Sequence, residues 1–227
     1  MATHTAPQAS PPAAHPVRLT AVLDPRLSRW LWLVKWLLAL PHYLVLVLLW
    51  AAAVVVGVVA FFAVLFTGRY PRPLFEFTTG VLRWSWRVGY YTSSALGTDR
   101  YPPFTLADVP DYPARLEVAY PKRLSRGLVL VKWWLLALPH YVVLAFLCGG
   151  LRVVWTSGGL ISVLVLFAGV ALLFTGVYPG GLFDLVIGLD RWVMRVVAYA
   201  ALLTDVYPPF RLDQGGTEPW SEAAPPE

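Results

Sequence analysis

The chain has 227 residues, of which 58% are hydrophobic and 14% charged, and its mean hydropathy is +0.61. A soluble domain carries about 25% charged residues, so this composition excludes an ordinary water-facing surface. The net charge of +5 does not point to nucleic acid. The basic residues flank apolar runs or recur inside them, a placement that suits anionic lipid and orientation in a bilayer.

Residues 1–16 are mostly Ala, Pro, Thr and Ser and read as a disordered tail. His4 and His15 are too far apart to suggest a metal site. A first membrane repeat follows over residues 17–108. Arg18-Leu19-Thr20-Ala21-Val22 alternates polar and apolar residues with the period of a strand. Leu37 to Thr67 then holds 31 positions without Asp, Glu, Lys or Arg, where a crossing needs roughly 20. A signal peptide is the competing reading of that run. It fails because the same run follows Arg123 and Arg126 in mid-chain. Two layouts fit this repeat. The favoured one is a transmembrane helical hairpin. The other is an interfacial helix Leu27 to Leu40, broken by Pro41, ahead of one span from His42 to Phe66.

Leu74 to Leu96 comes next and predicts an amphipathic helix lying in the interface or against the bundle. Glu76, Gly80, Arg83 and Arg87 fall on one stripe at helical spacing. Trp84, Trp86, Tyr90 and Tyr91 crowd the segment, as aromatic residues do at headgroup depth. Phe104-Thr105-Leu106 leaves the double proline in extended form.

The second repeat, residues 109–213, says the same thing again, so each inference must hold for both copies. Leu-Ser-Arg, Val-Lys-Trp, Leu-Pro-His-Tyr, Leu-Phe-Thr-Gly and Tyr-Pro-Pro-Phe all recur. The offset is 97 from Lys35 to Lys132 and 108 from Gly68 to Gly176. Copy two thus gains about ten residues around Cys148-Gly149-Gly150-Leu151-Arg152 and Trp155 to Gly159, its only turn-like chemistry. A hairpin is expected there, with helices near Leu128 to Leu147 and Leu160 to Phe174. Leu182 to Leu203 repeats the amphipathic helix with Asp184, Gly188, Arg191 and Arg195. Arg115 to Ala119 and Phe210-Arg211-Leu212 are extended, and a small membrane-proximal sheet joins these pieces to their first-copy counterparts. Residues 214–227 form an acidic disordered tail. The single cysteine, Cys148, rules out an intrachain disulfide.

The expected fold is therefore an all-α membrane protein of two tandem repeats. Each is a transmembrane hairpin plus an amphipathic helix, with short membrane-proximal β pieces. Lys and Arg near the span ends place both termini and the linker on the cytoplasmic side of the plasma membrane. Both copies are expected to insert in the same way.

Lys35, His42, Lys132 and His140 sit within or beside apolar runs, where an ionisable group is a functional candidate by default. The plainer reading, which is preferred, has each lysine reaching the interface and each histidine bonding a carbonyl freed by the proline. Arg83, Arg87, Arg191 and Arg195 suit phosphate geometry and are candidate contacts for anionic lipid. Pairing with Glu76 or Asp184 on the same face is the equal alternative. Phosphate loops, His-x-x-x-His, Cys-x-x-Cys and Gly-x-Ser-x-Gly are all absent. Asp184 and Asp190 lack a third metal ligand. No catalytic, metal or cofactor site is expected.

Arg-Leu-x-Val-x-Tyr-Pro at Arg115 to Pro121, followed by the five recurring motifs above, resembles a bacterial membrane family common in actinobacteria and known only as a domain of unknown function (family number 4389). The likeness covers Arg18 to Asp213 as two copies. The first copy departs at Leu23-Asp24, where the second has Tyr120-Pro121. The resemblance implies the architecture and no site residues. The leading expectation is a non-enzymatic structural or assembly partner in the membrane, bound to a protein partner or to itself. A small transporter or channel and an anionic-lipid binder are the alternatives.

Overall fold

The structure, a computed structural model, describes residues 15–149, 159–210 and 212–216. Both tails, the inserted turn around Arg152 and Arg211 lie outside the described residues. Repeat 1 runs β1 (Val17–Ala21), α1 (Trp32–Leu38), α2 (Leu40–Thr67) and α3 (Arg72–Thr92). Repeat 2 runs β2 (Ala114–Val118), α4 (Arg126–Val131), a π-helical turn (Lys132–Leu136), α5 (Leu138–Cys148), α6 (Leu160–Thr175) and α7 (Gly180–Ala200). The architecture is mostly helical, with one small sheet.

Pro41 sits in the first turn of α2, where its missing N–H is harmless, and separates α2 from α1. No turn residue interrupts the run that follows, so α2 continues for 28 residues, about 42 Å. Gly68 ends it in the left-handed region at φ 71, its N–H bonded to Val64 O. The tight hairpin favoured for repeat 1 is therefore not there, and the layout of a short helix ahead of one long helix is. In repeat 2 the π turn lets α4 and α5 meet at 44°.

α5 and α6 together repeat the course of α2. His140 opens the one as His42 opens the other. The buried stripe Ile161, Ala168 and Leu172 of α6 matches Ala53, Ala60 and Val64 of α2. A side chain at Gly159 would collide with the backbone of Leu147 and Gly149, so the chain returns to the point where α5 ended. The two helical stretches expected near Leu128 to Leu147 and Leu160 to Phe174 are present on either side of the insertion, whose residues 150–158 lie outside the described residues.

α2 is long and apolar enough to cross a membrane, and α4 with α5 passes the same test if the bent pair is one span. Only 17% of the most apolar stretch of α2 is buried. Its outward residues Leu44, Val47, Leu48, Val54 and Phe66 lie open. The stripe His42, Leu46, Ala53, Ala60 and Val64 faces inward, where α3 packs on it.

β1 and β2 form an antiparallel pair in which Leu19 faces Leu116. These two residues correspond in the repeats, so the ladder is symmetric about them. The long helices obey the same exchange. Leu124 N–H, opening repeat 2, bonds Gly68 O at the end of α2. Arg29, opening repeat 1, lies across Gly176 at the end of α6. The segment before each lysine helix therefore meets the end of the other repeat's apolar run, and α2 runs opposite to α5–α6. A common insertion mode for the two copies does not match this arrangement.

Candidate functional site

Each repeat places its lysine in the short helix before the Leu-Pro-His break. Lys35 is buried, yet its Nζ lies 2.8 Å from Asp99 Oδ1 and donates to Thr98 O at 2.6 Å. Lys132 repeats this, with Asp205 Oδ1 at 2.7 Å and Thr204 O at 3.0 Å. The second carboxylate oxygen accepts from Ser28 N–H at 2.5 Å in repeat 1 and from Ser125 N–H at 2.6 Å in repeat 2. Tyr91 and Tyr199 supply ring faces 5.1 and 5.4 Å from the ammonium groups. The Thr-Asp that opens each Tyr-Pro-Pro-Phe motif thus ties the start of its repeat to the lysine.

The histidines sit in the first turns of α2 and α5, fully buried. The His42 ring stacks on Phe104 at 3.9 Å and 15°, with Tyr101 at 4.9 Å. Trp84 donates its indole N–H to His42 Nδ1 at 3.0 Å. An accepting Nδ1 puts the proton of the neutral ring on Nε2, which has no partner among the described residues. His140 stacks on Phe210 at 4.3 Å and meets Trp192 at 5.2 Å, and neither of its nitrogens is bonded. Neither histidine bonds a carbonyl freed by the proline. Lysine and histidine do not meet. Tyr91 and Tyr101, with centroids 5.9 Å apart, stand between Lys35 and His42, and Tyr199 and Tyr207 between Lys132 and His140.

The four stripe arginines point into the protein. Arg83 Nε donates to Leu116 O at 2.9 Å, and Arg87 donates to Thr105 O. Arg191 donates to Leu19 O from Nε at 3.1 Å and from Nη2 at 3.0 Å, and also to Asp213 O and Gly215 O. Arg195 Nη1 pairs with Asp213 Oδ2 at 2.7 Å. Arg87, Arg191 and Arg195 are buried, which removes these three from a headgroup surface. Glu76 pairs with Arg72 at 3.4 Å instead of with the stripe. Arg83 and Arg191 hold the sheet, since buried strand carbonyls need donors and a guanidinium fork supplies several from one side chain.

A family model described as a domain of unknown function (DUF4389) matches residues 29–105 and, a second time, residues 129–211. The chain belongs to this family. Both DUF4389 segments run from the lysine helix through Tyr-Pro-Pro-Phe, so each contains a complete lysine, aspartate and histidine set. No curated protein and no solved structure matches the chain.

Asp99, Asp205, Trp84, Trp192, Phe104 and Phe210 were not singled out from the sequence as site residues. Their signal was present: Thr-Asp and Tyr-Pro-Pro-Phe occur at corresponding places in both DUF4389 segments. Among the described residues no group of three or more His, Cys, Asp or Glu could hold a metal ion. One acid departs from the symmetry. Asp190, where repeat 1 has Leu82, is buried with Oδ2 unbonded among the described residues. Burial pushes its carboxyl well above the usual carboxylate range. In the linker, a hydrogen bond from Arg115 (2.6 Å) holds the Asp108 carboxyl below its ordinary value.

Proposed function

We propose that the chain is a non-enzymatic integral protein of the plasma membrane, and that its doubled DUF4389 unit serves as a structural or assembly partner. The observation that carries this reading is α2, an apolar helix of 28 residues whose outward side chains are exposed among the described residues. Water would not tolerate that surface, whereas lipid accepts it. The polar residues support the structural half. The lysines are paired with Asp99 and Asp205, and Arg83 and Arg191 donate to strand carbonyls of the same chain. The chain crosses the bilayer with α2 and with the interrupted path of repeat 2. Its partner is another membrane protein or a second copy.

Purification in mild detergent from carbonate-washed membranes is the test. A partner in fixed ratio, or a defined homo-oligomer, is expected. Recovery of the chain in the washed supernatant contradicts the membrane assignment, and a bare monomer contradicts the assembly role.

A second reading is favoured by one observation, the unbonded ring nitrogens of His42 and His140 in buried sites. Such groups suit a small transporter or channel that relays protons or binds a solute between repeats. Proton or solute flux in liposomes that falls when both histidines become Ala favours transport. Flux absent or unchanged rejects it.

A further inference from the structure

Many charged groups of the chain are answered within it. Lys35, Lys132, Arg72, Arg115 and Arg195 each face a carboxylate. The end of α2 differs. Arg69, Arg123 and Arg126 are exposed there, and among the described residues none of the three faces an Asp or Glu. Asp205 accepts from Ser125 N–H, but Lys132 already neutralises it.

The chain path brings these cations together. Gly68 adopts φ 71, and a side chain there would lie 3.5 Å from Arg126 Nε and 3.8 Å from Arg123 Nε. Two guanidinium groups of repeat 2 therefore converge on the bare turn of repeat 1, beside Arg69. Arg123, Ser125 and Arg126 line a concavity of about 550 Å³, a size that accommodates a small ligand. Cations at a helix carboxyl end often do no more than complement its dipole. Here Leu124 N–H already caps Gly68 O, so that role does not account for three arginines.

We infer that this concavity binds a phosphate anion, and that in the membrane the anion is the headgroup of an acidic phospholipid. Arg123 and Arg126 supply the guanidinium forks, and Arg69, next to Gly68 in the chain, adds to the positive charge at this end of α2. Arg123 to Gly127 of repeat 2 line the concavity, and Gly68 of repeat 1 lies against the two guanidinium groups. The corresponding end of α6 has Arg29 over Gly176 but Val177 in place of Arg69, so it binds more weakly. The lipid form of the inference rests on the membrane reading above; the phosphate chemistry does not.

The test uses the full chain in neutral detergent, titrated with phosphatidylglycerol, phosphatidylcholine or inorganic phosphate while tryptophan fluorescence is followed. Phosphatidylglycerol is expected to bind and phosphatidylcholine not. Arg123→Gln with Arg126→Gln is expected to weaken phosphatidylglycerol binding about tenfold or more, because each lost charge-assisted bond is worth at least that factor. Arg18→Gln serves as the control and leaves binding unchanged. Equal saturation by inorganic phosphate keeps the site and overturns the lipid assignment. Undiminished phosphatidylglycerol binding in the double variant overturns the site. Should that variant not fold, Arg126→Gln alone takes its place under the same two outcomes. Fractionation of washed membranes reports the membrane reading separately.

Discussion

The guanidinium of Arg191, in the last helix, donates twice to the carbonyl of Leu19, in the first strand. Arg83 does the same once for Leu116. Each arginine thereby grips the strand that opens the other repeat. Arg191→Met removes two charge-assisted hydrogen bonds to Leu19 O together with those to Asp213 O and Gly215 O, at about 1.5–3 kcal/mol for each bond to a charged group. Arg83→Met removes one bond at a partly open site and costs less. Thermal unfolding of both variants in detergent checks the order.

The lysine–aspartate pair makes an asymmetric prediction. Asp99→Ala strands a buried ammonium and is expected to destabilise by about 3–5 kcal/mol, whereas Lys35→Met combined with Asp99→Leu is close to neutral. The same order holds for Lys132 and Asp205. Equal losses from single and double variants, read by denaturant titration, contradict the pairing.

The two histidines are predicted to differ. His42→Phe keeps the stack on Phe104 but leaves the Trp84 indole N–H without an acceptor, for a loss of about 1–3 kcal/mol. His140 holds no hydrogen bond among the described residues, so His140→Phe leaves the melting temperature nearly unchanged. Calorimetry of the two variants side by side decides this.

Asp190 gives a pH dependence of defined sign. Its folded carboxyl binds a proton more tightly than the unfolded one, so the native state holds more protons above about pH 4, and stability falls as pH rises through that window. Asp190→Leu, which restores the residue of repeat 1, is expected to be more stable than the natural chain at pH 8. The difference should shrink toward pH 4. Melting curves across that range that differ by a constant amount contradict the buried acid.

Much of the fold was legible because two periods and one repeat carried it. The alternation at Arg18 to Val22 and Arg115 to Ala119 became the two strands. The stripe from Arg83 to Arg87 became α3, and the insertion in repeat 2 fell where the offsets changed. The helix count of repeat 1 was misread, whereas the two helical stretches expected in repeat 2 are there. A hairpin was inferred for both copies on the premise that duplicated units share topology, while the unbroken run from Leu44 to Phe66 carried no turn residue. The arginines were misplaced for a different reason. Helical spacing says which residues share a face but not what covers it, and here a strand from the other repeat does. The partners of Lys35 and Lys132 lie 64 and 73 residues downstream, a separation that only the fold closes.

The exchange between repeats is the claim on which the rest stands, and a cut in the linker tests it most directly. A protease site placed between Pro110 and Asp111, at the exposed turn after Val109, divides the chain without touching either strand. After cleavage in detergent the fragments are expected to elute together in equal amounts and melt as one unit, because β1 is held by α7, β2 by α3, and Gly68 by Leu124. Fragments that part without denaturant, each folded alone, would contradict the interlocked arrangement.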